Sequence, residues 1–241
     1  MKKIFVVIGL GSMGKRRIRN LQALGFKEII GVDNRKDRRE EVSNNYFVET
    51  FQKFESVIEL YSNKIKALII SVPPAIHSRY IEKAVLYKIP CFVEASVLKD
   101  NLLELDRKAI DSNVLIAPSC TLYFHPAIKL ISKLLLNNEL GKISNLIYHS
   151  GQFLPDWHKF ESVAEYYVSK KETGGAREIV PFELTWITML LGYPIGVTGL
   201  NKKTIKIEGA KEIDDTYNIL LDYDDFIFKL YIVENYVNKV K

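Results

Sequence analysis

Gly9-Leu10-Gly11-Ser12-Met13-Gly14 sets three glycines at the spacing G-x-G-x-x-G, directly after an apolar run and directly before a helical pattern. Each glycine has a physical use in binding a pyrophosphate. The first permits a tight turn, the second lets backbone approach the phosphates, and the third lets the helix pack closely on the preceding strand. The N–H groups and partial positive charge of the helix N-terminus then attract the anion. Nineteen residues past Gly14 a second apolar run ends in Gly31-Val32-Asp33, where a carboxylate is placed to accept hydrogen bonds from ribose hydroxyls. The two features together predict a dinucleotide site made of Gly9, Gly11, Ser12, Met13, Gly14 and Asp33, with Asn34 and Arg35 adjoining it. The expected cofactor is NAD or NADP. Asp33 favours NAD, because a carboxylate repels a 2′-phosphate, whereas Arg35, Arg38 and Arg39 offer guanidinium groups to that phosphate or form a solvated helix face.

The elements that must carry this turn are legible as short apolar runs alternating with amphipathic stretches. Strands are expected at Lys3–Ile8, Glu28–Val32, Lys66–Ser71, Cys91–Glu94 and Val114–Ala117, with helical stripes between them such as Ile18, Leu21, Leu24 and Ile81, Ala84, Val85. Continuous apolar strands joined by helix-length crossovers predict a parallel sheet covered on both faces, a doubly wound Rossmann domain over residues 1–120. After Pro118 the pattern changes. A helix is expected over Pro126 to Leu136, with Ile128, Ile131 and Leu135 on one side, and another over Ala176 to Leu191. Alternating segments at Ser144–Leu154, Ile205–Glu208, Asn218–Tyr223 and Phe226–Val233 predict a mostly antiparallel sheet, with Asp222-Tyr223-Asp224-Asp225 as a hairpin connection. The fold class expected is therefore α/β, a Rossmann domain followed over residues 121–241 by a shortened α+β domain.

Composition narrows the class further. In 241 residues, 34 Lys and Arg face 29 Asp and Glu, a formal net charge of +5. Acidic residues lie among the lysines nearly throughout, and no zinc-finger or RNP spacing occurs, so no nucleic-acid partner is expected. Apolar runs such as Ile4 to Leu10 are far shorter than the ~20 residues that cross a bilayer, so no membrane partner is expected either. Met1-Lys2-Lys3 followed by that run imitates a signal peptide, but Gly11-Ser12-Met13-Gly14 and Lys15-Arg16-Arg17 follow it in place of a cleavage site, which predicts a buried first strand. Cys91 and Cys120 stand alone and predict reduced, buried thiols in a cytoplasmic protein. No cluster with metal-ligand spacing is present in the sequence.

Ser71-Val72-Pro73-Pro74-Ala75-Ile76-His77, followed by Cys91-Phe92-Val93-Glu94, resembles the glucose-fructose oxidoreductase and inositol dehydrogenase family, the Gfo/Idh/MocA oxidoreductases. The likeness continues through Tyr123-Phe124-His125-Pro126, the Leu140-Gly141-Lys142-Ile143 turn and Gly174-Gly175 before the later helix. Leu154-Pro155-Asp156-Trp157-His158 is similar to a segment of members linked to sugar and glycan metabolism. The resemblance implies hydride transfer between a nicotinamide and a hydroxyl carbon of a sugar or cyclitol. It implies Ser71, Pro73 and His77 at the cofactor, the last two on its nicotinamide side, and Glu94 near its ribose. His77 also reads as a helix-start residue bonded to backbone.

This chain departs from the family pattern at two positions. Ala95-Ser96 replaces the Lys-Pro that usually follows the Glu, and Phe182 stands where the family's second-domain His is expected, with Glu178 the nearest acid. Neither Ala95 nor Phe182 transfers a proton. Asp156, His158, Lys170, Lys171, Arg177, Glu178 and Glu183 lie in the stretch where the family builds its substrate pocket. Among them Glu178 is the expected base, sharing a helix face with Phe182, and His158 is the alternative. Trp157, Tyr166 and Tyr167 are candidates to stack on a sugar ring or to fill a core. A catalytically silent dinucleotide-binding sensor or partner subunit is the other function the two departures suggest. Family members are usually longer, so the second sheet is expected to be short, and the resemblance implies a homo-oligomer.

Overall fold

The computed structural model describes residues 3–95, 98–99, 101–157 and 162–235. They divide into two compact units, one of residues 3–95 and 99–119, the other of residue 98 and 120–235.

The first unit follows the chain as β1 (Ile4–Ile8), α1 (Ser12–Ala23), β2 (Ile29–Val32), α2 (Lys36–Tyr46), β3 (Glu49–Phe51), α3 (Phe54–Tyr61), β4 (Ile65–Ile70), α4 (His77–Leu86), β5 (Cys91–Val93), α5 (Leu102–Asp111) and β6 (Ile116–Pro118). All six strands run parallel in the order β3-β2-β1-β4-β5-β6. The order reverses between β1 and β4, so the turns after these strands open at the crevice where such sheets bind ligands. β1 is buried on both faces, which is why it reads as an unbroken apolar run. Ile4, Val6 and Ile8 pack with Phe54, Val57, Ile81, Ala84 and Leu105, while Phe5 and Val7 pack with Ile18, Leu21 and Val42 on the other face. Leu24 does not extend the α1 stripe. It lies just past the helix end and is 72% exposed. The short edge strand β3 carries no alternation long enough to be read from the sequence.

The second unit holds α6 (Pro126–Leu136), β7 (Asn145–Gly151), α7 (Ala176–Leu191), β8 (Gly196–Lys202), β9 (Thr216–Tyr223) and β10 (Phe226–Val233). Its sheet has the order β7-β10-β9-β8. β9 pairs antiparallel with both neighbours, whereas β10 and β7 are parallel. β9 and β10 form the expected hairpin, Tyr223 pairing with Phe226 across Asp224-Asp225. Two expectations are corrected. Ile205–Glu208 is not a strand; Ile207 is buried in a small cluster with Leu154, Val163, Val168, Ala210 and Ile213 instead. The fourth strand is β8, whose glycines at 196 and 199 and mostly exposed residues hide it from a pattern of alternation. The inward residues of β9 and β10, among them Leu221, Leu230 and Ile232, pack against Ala176, Trp186 and Ile187 of α7.

Cys91 is buried, and burial pushes its thiol up to about 11; Cys120, expected to be buried, is only half-buried, and both are free. Among the described residues no helix is long and apolar enough to cross a membrane.

Candidate functional site

In the first unit the glycine turn is built by three different demands. Gly9 has φ +88°, and a Cβ there would stand 2.5 Å from the Ser71 carbonyl oxygen. A Cβ on Gly14 would stand 1.8 Å from the Gly9 carbonyl oxygen, so the turn closes on its own helix. Gly11 is unlike these two. Its φ of −70° suits any residue, and the nearest atom to a Cβ there is the tip of the flexible Arg38 side chain at 3.5 Å. The chain's own packing therefore does not require glycine at position 11.

Gly11 caps α1 without a side-chain bond, and the first intrahelical bond runs from Lys15 N–H to its carbonyl (3.0 Å). The N–H groups of Ser12, Met13 and Gly14 precede that bond and point out of the helix end, the arrangement that receives phosphate oxygens. The side chains of Ser12 and Met13 are exposed at the rim of the turn.

Asp33 stands at the end of β2 with its carboxylate turned into this turn. Oδ2 accepts the Leu10 N–H and Oδ1 the Arg35 N–H, each at 2.8 Å. The three arginines differ in ways the sequence did not reveal. Arg35 pairs with Asp37, and Arg39 donates to the carbonyls of Asp33 and Asn34. Arg38 reaches over Gly11, with Nη1 3.8 Å from Asp33 Oδ2. Asn34 is exposed and contributes its carbonyl to Arg39.

The turn after β4 lies across from the glycines. Ser71 N–H donates to the Ile8 carbonyl (2.8 Å), and Pro73 is exposed ahead of the short 3-10 turn Pro74–Ile76. His77 is 2% exposed, and its Nε2 lies 2.8 Å from the Val72 carbonyl oxygen. Burial lowers its pKa. The ring thus braces the Ser71–Pro74 turn from beneath, and the backbone-bonded reading of His77 describes this geometry better than a ring facing the crevice.

Glu94 ends β5 in a two-point pair that the sequence reading missed. Arg17, one helical turn past Gly14, donates Nε to Oε1 (2.6 Å) and Nη2 to Oε2 (2.8 Å), and its guanidinium also lies over the Phe92 ring. Ser71 Oγ donates to the same carboxylate at 3.4 Å. Both side chains are about 15% exposed or less. A basic residue at 17 within Lys15-Arg16-Arg17 was the available signal, but nothing local tied it to a carboxylate 77 positions away.

In the second unit, Gly174 and Gly175 let the chain approach itself before α7. Cβ atoms there would stand 1.7 Å from the Val168 carbonyl oxygen and 2.4 Å from the Asp214 carbonyl oxygen. This turn delivers Glu178 to the first turn of α7, where its Oε1 accepts the Tyr167 hydroxyl. Burial pushes its carboxyl up to about 7, against the Tyr167 hydrogen bond, which lowers it. Phe182, one turn further, is half-buried on the same face. Glu183 is 3% exposed and held in the core, accepting Trp186 Nε1 at 2.7 Å. Asp156 and Arg177 are exposed, and Lys170 and Lys171 line a surface cleft of ≈ 390 Å³ with Lys211 and Glu212. Trp157, Tyr166 and Tyr167 pack on the Leu154–Ile213 cluster. His158 lies outside the described residues, as does Ser96 beside Ala95. Among the described residues no cluster of three or more His, Cys, Asp or Glu could hold a metal ion.

Residues 3–97 match the model of an oxidoreductase family with an NAD-binding Rossmann fold, GFO_IDH_MocA. Solved structures share the fold of nearly the whole chain. One is an oxidoreductase from Agrobacterium radiobacter in complex with NAD+, L-tartaric acid and magnesium (13% identity, TM-score 0.85, 100% of this chain and 69% of that one). Others are GenD2 from gentamicin A biosynthesis in complex with NAD (13%, 0.81, 98% and 67%) and myo-inositol 2-dehydrogenase from Lactobacillus plantarum (19%, 0.79, 96% and 69%). The chain thus spans about two thirds of the length of its structural neighbours, 65% of one of them. A search of curated proteins finds no match.

Proposed function

We propose that this chain, whose residues 3–97 match the NAD-binding Rossmann model of the Gfo/Idh/MocA oxidoreductase family, transfers a hydride between a nicotinamide dinucleotide and a hydroxyl carbon of a sugar or cyclitol. The observation that carries the cofactor half of this reading is Gly11. It is a glycine that the chain's own packing does not need, set in front of the free N–H groups of α1. A nicotinamide dinucleotide bound across this turn would supply the hydride acceptor. The chain's residues would hold it: the α1 N-terminus the pyrophosphate, Asp33 and Arg38 the adenosine ribose, and the Ser71–Pro74 turn the nicotinamide side.

Arg38 is the guanidinium available for a 2′-phosphate, since Arg35 and Arg39 are engaged elsewhere. Asp33 spends hydrogen-bonding capacity on Leu10 and Arg35, so it opposes that phosphate less than an open carboxylate would. Both NAD and NADP fit this arrangement.

For substrate, two structural neighbours point to polyhydroxylated molecules, one by its name as a myo-inositol 2-dehydrogenase and one by the L-tartaric acid in its crystal. Proton transfer falls to Glu178. A carboxyl whose pKa lies near 7 both accepts and returns a proton at neutral pH, and Tyr167 orients it. The outward face of the second sheet, with Ile147, Leu200, Leu220 and Ile227 exposed, supports association with a second copy of the chain.

Titration of the full chain with NADH and with NADPH, read by nicotinamide fluorescence, tests the reading. Saturable binding of one or both is expected, and turnover of a panel of sugars and cyclitols is then followed by nicotinamide absorbance. Binding of neither dinucleotide would overturn it.

A further inference from the structure

The pair of Arg17 and Glu94 lies wholly within the first unit, beside the glycine turn. Arg17 Nε and Nη2 stand 2.6 and 2.8 Å from Oε1 and Oε2, so one guanidinium takes both oxygens of the carboxylate. The guanidinium carbon lies 4.7 Å from the centre of the Phe92 ring, and Nη2 reaches Ser119 Oγ at 3.5 Å. Ser71 Oγ makes a longer contact to Oε1 at 3.4 Å. The Arg17 and Glu94 side chains are 15% and 13% exposed. Charges so far out of the solvent are weakly screened by salt.

The backbone fixes where this pair sits. Ser71 and Glu94 directly follow β4 and β5, and the Glu94 N–H donates to the Ile70 carbonyl at 3.1 Å. Gly9 lies so close to Ser71 that a Cβ on it would stand 2.5 Å from the Ser71 carbonyl oxygen. In a sheet ordered β3-β2-β1-β4-β5-β6, a dinucleotide laid across the crevice between β1 and β4 sends one half toward β2 and the other toward β4 and β5. Asp33, at the end of β2, marks the adenosine half. Ser71 and Glu94 would then border the nicotinamide half.

The charge standing there matters, because the oxidised nicotinamide ring is a cation and the reduced ring is neutral. An unpaired carboxylate beside the ring favours the oxidised form, whereas a carboxylate balanced by a guanidinium does not. Two other cations near the turn are engaged elsewhere, Lys15 with Glu41 and Arg38 with Asp33. The charge of Glu94 also acts on His77, but burial lowers the pKa of that ring, so it supplies no second cation at neutral pH.

We propose that Arg17 sets the redox-state preference of the dinucleotide site: by pairing both oxygens of Glu94 it balances a negative charge beside the nicotinamide and lets the reduced cofactor compete with the oxidised one. Arg17 acts through Glu94 and is a positioning residue. The inference rests on the dinucleotide reading given above.

The test measures, on the full chain, the ratio of dissociation constants for the reduced and oxidised forms, NADH against NAD+ and NADPH against NADP+. Nicotinamide fluorescence reads the reduced form, and displacement of that signal reads the oxidised one. Arg17→Leu, which leaves Glu94 without its charge partner, should shift the ratio about tenfold toward the oxidised form. Glu94→Gln, which leaves the guanidinium unbalanced, should shift it toward the reduced form. Arg17→Lys and the double variant Arg17→Leu, Glu94→Gln keep the net charge of the pair at zero and should return the ratio to within about threefold of wild type. A loosened turn weakens both redox forms alike and cancels in the ratio, so a merely structural role does not move it. If Arg17→Leu and Glu94→Gln leave the ratio unmoved, or move it in the same direction, the proposal is overturned. Should Arg17→Leu fail to fold, the direction of the Glu94→Gln shift decides. An unmoved ratio in variants that still bind dinucleotide sinks this inference alone, whereas a wild-type chain that binds neither redox form overturns the oxidoreductase reading with it.

Discussion

Arg17 and Glu94 meet across the carboxyl ends of the parallel strands in a bidentate pair, with Nε and Nη2 2.6 and 2.8 Å from the two carboxylate oxygens. The pair ties the first turns of α1, and so the glycine turn, to the residue that follows β5. Arg17→Ala should leave Glu94 mostly buried without its charge partner and cost about 2–3 kcal/mol in denaturant unfolding. Arg17→Lys should recover only part of this, because a lysine cannot make the two-point contact. A double-mutant cycle with Glu94→Gln measures the coupling, and additive losses would show the two residues to be independent.

The glycines at positions 11 and 14 should separate binding from folding. Gly14→Ala places a Cβ on the Gly9 carbonyl and should lower stability by about 2 kcal/mol or more. Gly11→Val meets only the movable end of Arg38, so its thermal midpoint should stay near that of wild type while dinucleotide affinity falls at least about tenfold. Equal affinity of Gly11→Val and wild type for both NADH and NADPH would remove position 11 from the site.

Cofactor preference should turn on Arg38. Its substitution by Ala is expected to weaken NADPH binding about tenfold more than NADH binding, consistent with loss of one charge-assisted contact to a 2′-phosphate. Asp33→Ala should weaken NADH more than NADPH, although part of its effect will come from release of the Leu10 N–H. Fluorescence titrations of both variants with both dinucleotides read the preference directly.

The raised carboxyls of Glu178 and Glu234 link stability to pH with a definite sign. Both have folded pKa values, about 7 and about 8, above the ordinary 4.5 of an unfolded Glu, so the folded state holds more protons between these limits. Their contribution is complete below pH 4.5 and is lost as pH rises through 7 and 8. Unfolding free energy from denaturant melts should therefore fall by a few kcal/mol across that window. Glu234→Gln should flatten the curve, and an unchanged slope would count against the assignment.

The thiols should differ in reactivity. Burial raises Cys91 to about 11, so it should resist alkylation until the chain unfolds, while half-buried Cys120 reacts first. Mass spectrometry of the natively alkylated chain identifies the modified residue.

Much of this protein is determined by local sequence. Five parallel strands, the glycine turn, Asp33, α6 and α7 follow from patterns a few residues long: continuous apolar runs, fixed glycine spacing, a proline at a helix start. These patterns report backbone conformation and burial, and both are local properties. β3 and β8 escaped because three residues or a glycine-bearing, exposed strand carry too little alternation, and their pairing is supplied by neighbours already in place. Only the tertiary structure decided which charges meet. Arg17 with Glu94, Arg38 rather than Arg35 or Arg39 beside Asp33, Glu183 with Trp186 in the core, and Glu178 with Tyr167 all depend on where the folded chain puts its side chains. Interactions between charges depend on distance and burial, and a sequence lists the charges without either.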